Sequence, residues 1–220
     1  MISVAIDGPA GAGKSTIARS VAKTLGYIYA DTGALYRAIG YYALQKKVDT
    51  KNEAEVLPLL AEIDVTLKFV DGEQRVLINN SDVSDNIRTS EVSMAASNVS
   101  ALPPVRSFLF SLQQNLAKNN NIVMDGRDIG TVVLPNAQVK IFLTATPEER
   151  AKRRWLELNE KGVETKLEEV LKEVIERDNN DMNRAIAPLK QAPDAVLVDT
   201  TNDTLVQAIA RIAAVIKDKI

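Results

Sequence analysis

Residues 2–16 read ISVAIDGPAGAGKST, and this stretch decides the fold. The apolar run from Ile2 to Ile6 predicts a short, buried parallel strand. The next eight residues, Gly8 to Ser15, match the pattern G-x-x-x-x-G-K-[ST] of a phosphate-binding loop, and residues 15–25 then have helical spacing. In this context the glycines turn backbone N–H groups toward phosphate oxygens, and the helix N-terminus adds its dipole.

Every position of this loop is assigned to binding of a nucleoside triphosphate. The assigned residues are Gly8, Pro9, Ala10, Gly11, Ala12, Gly13, Lys14, Ser15 and Thr16. Lys14 is expected to reach the β- and γ-phosphates and to act in catalysis, and the Ser15 hydroxyl is expected to ligate Mg²⁺. Switches, motors and kinases all share such a loop, so the rest of the chain must decide among them.

Composition narrows the chemistry. The chain has 220 residues and no Cys or His, which excludes thiolate catalysis, disulfides and the commonest metal ligands and general bases. Phosphoryl transfer suits the remaining inventory, because it depends on positioning and electrostatic stabilisation. The net charge of −2 indicates neither a nucleic-acid partner nor a membrane surface. No apolar run approaches a bilayer span and no basic leader opens the chain, so we expect a cytoplasmic protein.

Strands and helices alternate along most of the chain. Further strands are predicted at residues 27–30, 122–125, 139–143 and 195–199, and helices at 32–45, 53–62, 104–119 and 204–217. The alternation predicts an α/β fold with a central parallel sheet flanked by helices. Strands 65–70 and 75–78, a turn at Asp71-Gly72 and a third strand near Val83 predict a small antiparallel insert over about residues 63–97. Two helix starts carry capping-box pairs, Thr146 with Glu149 and Thr165 with Glu168.

Charged residues recur where parallel strands end. Asp31 and Arg37 flank the start of the second helix, and Asp125-Gly-Arg127-Asp128 follows a buried strand. Ligands of open α/β sheets bind at such strand ends. A capped helix with a solvated arginine would also explain the first pair, and a structural ion pair would explain the second group.

A third charged group lies near the end of the chain. Arg177, Asp181 and Arg184 share one helical face, with Arg150, Arg153 and Arg154 on the preceding predicted helix. A solvated, salt-bridged face is the alternative to a ligand site for this group. Taken together, the repeated arginines favour a kinase, because arginine is always charged and can bind phosphate through two parallel hydrogen bonds.

Other classes of phosphate-loop protein fit less well. A GTPase switch needs [NT]-K-x-D to read guanine, and the nearest stretch, Thr165-Lys-Leu-Glu168, ends in the wrong residue. A kinase of another small metabolite, such as uridylate or an alcohol, remains an alternative, as does a regulatory module that hydrolyses nucleotide slowly.

Five stretches together resemble the bacterial cytidylate kinases over nearly the whole chain. They are Asp7 to Thr16, Asp31 to Arg37, Ile87 to Thr89, Asp125 to Thr131, and the spaced set Arg177, Asp181 and Arg184. The resemblance implies Mg²⁺-dependent transfer of a phosphoryl group from ATP to CMP or dCMP. It also implies a core (about 1–32, 98–148 and 166–220), an acceptor-binding part (about 33–97) and a short helical lid (about 149–165). Nothing in the sequence demands more than a monomer.

The resemblance also implies roles for individual residues. Ser97, Arg106 and Asp128 would read the cytosine ring, and a carboxylate at Asp128 suits the exocyclic amine that distinguishes cytosine from uracil. Asp181 would hold the ribose. The residues expected near the acceptor phosphate are Arg37, Arg127, Arg177 and Arg184, of which Arg127 and Arg177 are assigned to catalysis. Asp31 and Asp125 are also assigned to substrate binding. Arg150 or Arg154 would reach the transferring phosphate from the lid, and the loop 199–202 would lie near the adenine.

Overall fold

A computed structural model describes residues 1–70, 72–160 and 162–220. A parallel sheet forms its centre, built from β1 (Ser3–Asp7), β2 (Ile28–Asp31), β6 (Ile122–Gly126), β7 (Val139–Thr144) and β8 (Val196–Asp199). The strand order is β2-β6-β1-β7-β8, and all pairs are parallel. The predicted α/β architecture is confirmed. The chain crosses from one side of β1 to the other between β6 and β7, which opens a crevice at the carboxyl ends of these strands.

Eight helices are present among the described residues. They are α1 (Lys14–Leu25), α2 (Thr32–Gln45), α3 (Glu53–Leu59), α4 (Ser90–Ser100), α5 (Pro103–Asn119), α6 (Pro147–Glu160), α7 (Leu167–Asn183) and α8 (Leu205–Lys219). Apolar residues of β1, β7, α1 and α8 form one core cluster with β6 and β8. Short turns of 3₁₀-helix and π-helix occupy Asn86–Arg88 and Ile129–Val133.

A second, antiparallel sheet contains β3 (Val65–Val70), β4 (Glu73–Ile78) and β5 (Ser81–Asp82) in that order. The third strand therefore ends just before Val83, where the sequence suggested it. The predicted Asp71-Gly72 turn includes Asp71, which lies outside the described residues. Buried side chains of this sheet pack with α2, α4 and α5 in a separate core cluster.

The segment that follows the small sheet differs from the sequence prediction. The meander was expected to extend to about residue 97, but its strands stop at Asp82 and α4 begins at Ser90. The Thr89 hydroxyl accepts a hydrogen bond from the Val92 N–H and caps this helix. Helical spacing was overlooked here because Ser and Asn interrupt the apolar pattern, while packing against α2 buries Val92, Ala95, Ala96 and Val99.

Capping residues set two other helix starts. The Thr146 hydroxyl accepts from the Glu149 N–H at 3.3 Å, as the sequence predicted for the start of α6. Helix α7 instead begins at Leu167, where the Glu169 carboxylate lies 3.5 Å from the Lys166 N–H. The proposed pairing of Thr165 with Glu168 is therefore wrong by one residue.

None of the helices in the described part of the chain is long and apolar enough to cross a membrane.

Candidate active site

A cavity of about 800 Å³ opens at the carboxyl ends of β1, β2 and β6. The phosphate-binding loop forms one wall, and residues of α2, α4, α6 and α7 form the others. Most of the residues singled out from the sequence line it: Ala10, Gly11, Gly13, Lys14, Ser15, Thr16, Asp31, Arg37, Ser97, Asp125, Arg127, Asp128, Arg154, Arg177, Asp181 and Arg184. Gly8, Pro9, Ala12, Arg106 and Arg150 do not appear in its lining.

The phosphate-binding loop depends on its first glycine. Gly8 has a φ of 151°, and a Cβ placed there would lie 1.9 Å from the carbonyl oxygen of Leu143 in β7. Gly8 thus lets the loop pass directly against the neighbouring strand. The Lys14 amine donates a hydrogen bond to the Pro9 carbonyl at 2.7 Å, so this side chain follows the loop toward the cavity.

Three cations converge beside the loop. Burial lowers the pKa of the Lys14 amine well below its usual value, and the neighbouring Arg127 and Arg177 lower it further, against the opposite effect of Asp125. Burial and Arg127 likewise lower the pKa of Arg177 to about 10, and the Nε of Arg177 has no hydrogen-bond partner among the described residues. Like charges held together in this way favour a bound polyanion.

Ser15 and Asp125 form the oxygen-rich corner of the cavity. The Ser15 hydroxyl donates to the Asp125 carboxylate at 3.0 Å, and the Tyr29 hydroxyl donates to its other oxygen at 2.9 Å. Burial, with the nearby Asp31 charge, raises the pKa of Asp125 to about 6. The sequence assigned Asp125 to substrate binding; the structure places its carboxylate against Ser15 of the phosphate-binding loop.

Asp31 and Arg37 form a largely buried ion pair at the start of α2. One Asp31 oxygen accepts from the Ala34 N–H at 3.0 Å, and the other accepts from Arg37 at 2.7 Å. Burial acts to raise the pKa of Asp31, but Arg37 outweighs it and lowers that pKa. Arg37 lines the cavity, and its buried Nε has no hydrogen-bond partner among the described residues.

Asp181 joins α7 to two other elements. It accepts a hydrogen bond from Arg127 at 2.8 Å, just after β6, and from the Ser97 hydroxyl of α4 at 3.1 Å. Burial acts to raise the pKa of Asp181, but Arg127 and then Arg177 outweigh burial and lower it. The sequence could not show that Ser97 and Asp181 contact each other, because they lie on separate helices.

Asp128 lies between two arginines in the depth of the cavity. Arg106 donates to one carboxylate oxygen and Arg184 to the other, the latter at 3.1 Å. Both arginines also reach Ser100 in α4, Arg106 through the carbonyl at 3.3 Å and Arg184 through the hydroxyl at 3.1 Å. All three charged side chains are buried. Asp128 and Arg184 line the cavity, and Arg106 holds Asp128 from outside the lining.

The turn that follows Asp128 is held by the end of β1. The two oxygens of Asp7 accept hydrogen bonds from the N–H groups of Ile129 and Gly130, both at 2.7 Å. Burial raises the pKa of Asp7 to about 6, although these two hydrogen bonds act to lower it. Asp7 thereby fixes the π-helical turn from which Asp128 enters the cavity, a role that its position next to the loop did not reveal.

The two candidate lid arginines have different environments. Arg150 is buried behind the phosphate-binding loop, where it bonds the Ala145 and Ala10 carbonyls and both oxygens of Asp178. Arg154 lines the cavity and pairs with Glu157 at 3.1 Å. The structure thus brings Arg154, and not Arg150, to the cavity, because the guanidinium of Arg150 already supports the loop.

Several cavity residues were missed by sequence reasoning. Tyr36 stands before Arg37 and lies 5.8 Å from the guanidinium of Arg106, measured to its ring centre. Arg88, Ser93 and Met94 also line the cavity, as does the α8 region at Asp203, Leu205 and Ala208. Tyr36 and Arg88 lie within stretches noted in the sequence, but nothing in the local sequence distinguishes the others from ordinary helix or loop residues.

A parallel sheet of this order, a phosphate-binding loop opening α1, and an arginine-rich cavity beside it define a P-loop kinase. The family model described as "Cytidylate kinase" matches residues 4–218, and the chain belongs to that family. Membership places it among the nucleoside monophosphate kinases, and it confirms the resemblance found in the sequence.

Individual relatives agree with this assignment. A cytidylate kinase of Caldicellulosiruptor saccharolyticus is 52% identical over 96% of this chain and 93% of its own length. A cytidylate kinase of Lactiplantibacillus plantarum is 48% identical over 99% of this chain and 96% of its own. Among solved structures, an uncharacterized protein from Eubacterium ventriosum shares the fold, with a TM-score of 0.52, 10% identity and 99% coverage of both chains.

Proposed function

We propose that this enzyme transfers the γ-phosphoryl group of ATP to CMP or dCMP, giving ADP and CDP or dCDP. The single observation that carries the proposal is the convergence of Lys14, Arg127 and Arg177, whose charges lower the pKa of Lys14 and Arg177. Lys14 belongs to the phosphate-binding loop, and Arg127 donates to the Asp181 carboxylate at 2.8 Å; all three cations line the same cavity. A transferring phosphoryl group would lie among them, with the triphosphate on one side and the monophosphate on the other.

The donor triphosphate is proposed to bind along residues 8–16. Backbone N–H groups and Lys14 would cradle its phosphates, while the nucleoside would extend toward Asp203 and Leu205 at the start of α8. The loop 199–202 is proposed to lie near the adenine, since it leads into Asp203 and Leu205 of the cavity lining. Arg153, also in the lining, donates to the Thr200 carbonyl at 2.6 Å.

The acceptor is proposed to bind through side chains rather than backbone. Arg37, Arg127 and Arg177 would hold its phosphate, with Arg37 oriented by Asp31. Arg184 would contribute from the end of α7, and Asp181 would hold the ribose. Ser97, which donates to Asp181 at 3.1 Å, would contact the cytosine ring. Because the second pKa of a phosphate monoester is about 6, the acceptor is largely a dianion near neutral pH and attacks without a general base.

Asp128 is proposed to select cytosine. Arg106 and Arg184 hold its two oxygens in place, so the carboxylate presents an acceptor in a fixed direction. Cytosine would donate its exocyclic amine to that carboxylate, whereas uracil would place a carbonyl oxygen there and leave both groups unpaired. Tyr36, packed against Arg106, would contribute an aromatic surface at the same end.

Mg²⁺ is proposed as the metal that accompanies ATP. The Ser15 hydroxyl and the Asp125 carboxylate are hard oxygen ligands of the kind Mg²⁺ prefers, and they lie 3.0 Å apart beside the loop. When bound, the ion would neutralise charge on the β- and γ-phosphate oxygens. Asp125 would then be held in its ionised form, because a nearby cation lowers the pKa that burial raises.

The division into core, acceptor-binding part and lid is likewise proposed. Arg154 of α6 lines the cavity and would reach the transferring phosphoryl group when the lid closes over it. Arg150 would support the loop through Ala10 and Asp178. We likewise propose a monomer that acts in the cytoplasm on small nucleotides. The net charge of −2 supports small substrates over a nucleic-acid polymer or a membrane surface.

The test is release of ADP from ATP and Mg²⁺ with CMP, dCMP, UMP, AMP, GMP or no acceptor. We expect turnover on the order of 1 to 100 s⁻¹ with CMP or dCMP and far less with the others. ADP release at the same rate with and without an acceptor, or a preference for a purine monophosphate, would overturn the proposal.

A further inference from the structure

The edge of the core sheet meets the small antiparallel sheet at Asp31. Strand β2 is an edge strand of the core, so backbone groups on its outer side need partners other than a neighbouring strand. At Asp31, the side chain of Gln74 in β4 supplies partners for both the backbone N–H and the carbonyl. Its oxygen accepts from the Asp31 N–H at 2.8 Å, and its amide donates to the Asp31 carbonyl at 3.2 Å.

This reciprocal pair has a specific chemical requirement. A carboxamide presents one acceptor and two donors in a plane, as a peptide group of a paired strand does. Among side chains of similar length, methionine lacks strong hydrogen-bonding groups and an ionised glutamate lacks the donor. Gln74 therefore replaces the missing strand at Asp31, the last residue of β2 and the N-cap of α2.

Asp31 connects this contact to the cavity. Its backbone is held by Gln74, and its carboxylate caps α2 and binds Arg37 at 2.7 Å. Gln74 itself does not line the cavity. A shift of Asp31 would thus move Arg37, whereas the phosphate-binding loop would keep its own contacts with β7 and Arg150.

The neighbouring residue of β4 makes a second, weaker link. Glu73 pairs with Arg19 at 3.4 Å, and the guanidinium of Arg19 lies 5.5 Å from the ring centre of Tyr29, whose hydroxyl donates to Asp125. The Arg19–Glu73 pair is about half exposed, so it contributes little energy by itself. It shows that β4 contacts the core at two consecutive residues, Glu73 and Gln74.

From these contacts we infer that Gln74 is a positioning residue, which fixes Asp31 and through it aligns Arg37 for the acceptor phosphate. The small sheet thereby acts on acceptor binding without touching the acceptor. The inference rests on the proposed function for the identity of that acceptor, but the contact between Gln74 and Asp31 does not depend on it.

The test compares Gln74→Met with Gln114→Met. Gln114 in α5 makes a hydrogen bond of the same length, 3.2 Å, to the Val133 carbonyl and lies outside the cavity lining, so the same chemical change is made away from Asp31. Gln74→Met should raise the KM for CMP about tenfold and leave the KM for ATP within about twofold, as expected for loss of two hydrogen bonds. Gln114→Met should change neither.

Hydrogen exchange gives a readout that needs no acceptor. Amides of residues 31–37 should exchange faster in Gln74→Met than in the wild type, and should be unchanged in Gln114→Met. Equal effects of the two variants on KM or on exchange in this segment would overturn the inference. If the wild type fails to phosphorylate CMP, the proposed function falls, and the exchange comparison still decides whether Gln74 positions Asp31.

Discussion

The two halves of the cavity are built in different ways. The phosphate-binding loop is nine consecutive residues, and its ligand groups are mainly backbone N–H groups placed by glycines. The acceptor half consists of side chains from α2, α4, α5, α7 and the segment after β6, which are distant in sequence and linked by charge-assisted hydrogen bonds. Local sequence can specify the first arrangement, whereas only packing can assemble the second.

Electrostatics separates the two halves as well. On the loop side, burial raises the pKa of Asp7 and Asp125 to about 6. On the acceptor side, burial is outweighed by arginines, which lower the pKa of Asp31 and Asp181. The acceptor half is therefore a network of compensated charges, while the loop half holds carboxylates that favour protons or a metal cation.

The largest expected effect concerns the backbone of the loop half. Gly8→Ala should lower the free energy of unfolding by about 4 kcal/mol or more, because its Cβ would lie 1.9 Å from the Leu143 carbonyl. Gly26→Ala is the matched control: its φ is 68° and nothing lies within 4 Å of the added Cβ, so only about 1 kcal/mol is expected. Urea denaturation of both variants makes the comparison, and similar losses would contradict the close approach to β7.

Lys14→Ala tests the role of the Lys14 amine at the phosphoryl group that passes between the two halves. Turnover should fall about 10³-fold with every acceptor, since the amine acts on the transferring group rather than on the base. Steady-state kinetics with CMP, dCMP and UMP measures the effect. A loss confined to one acceptor would show that Lys14 belongs to the acceptor half.

Asp128→Asn tests base selection in the acceptor half. The ratio of kcat/KM for CMP over UMP should fall about 10²-fold, since the amide removes a fixed acceptor for the cytosine amine. The KM for ATP should remain close to that of the wild type, because Asp128 bonds Arg106 and Arg184 and not the loop. Equal losses for CMP and ATP would remove the assignment of Asp128 to the base.

The smallest effect is a difference in pH dependence between the halves. The raised pKa of Asp125 means that its contribution to stability is fully present below about pH 3.8 and is lost as the pH rises through about 6. The stability difference between wild type and Asp125→Asn should therefore shift by about 1 kcal/mol between pH 5 and pH 7, in favour of wild type at pH 5.

Asp181→Asn provides the opposite case. Its lowered pKa means that its stabilising contribution persists above its unfolded-state pKa and is lost only as the pH falls through the lower folded value. The difference between wild type and Asp181→Asn should stay flat between about pH 5 and pH 7. Thermal denaturation across this range measures both pairs, and a common slope would refute the electrostatic contrast.

The sequence predicted correctly those features that depend on residues close together in the chain. The five core strands and α2 were predicted within a residue or two, because apolar runs and the Asp31 cap are local signals. Helix α4 was missed because its buried face is rich in Ala and Ser, which give only a weak apolar pattern in the sequence. Packing against α2 is what buries that face. The charged motifs were found as separate clusters, but neither their mutual contacts nor the burial of Arg150 was apparent.

The sequence by itself determined the phosphate-binding loop, the alternating α/β order and the set of charged residue types available for phosphoryl transfer. Those features depend on neighbours along the chain, through backbone conformation and hydrogen-bond periodicity. Tertiary structure alone decided that Arg106 and Arg184 share Asp128, that Arg154 and not Arg150 reaches the cavity, and that Gln74 supports Asp31. Each depends on residues distant in sequence, whose direction and distance are fixed only when the sheet and helices pack.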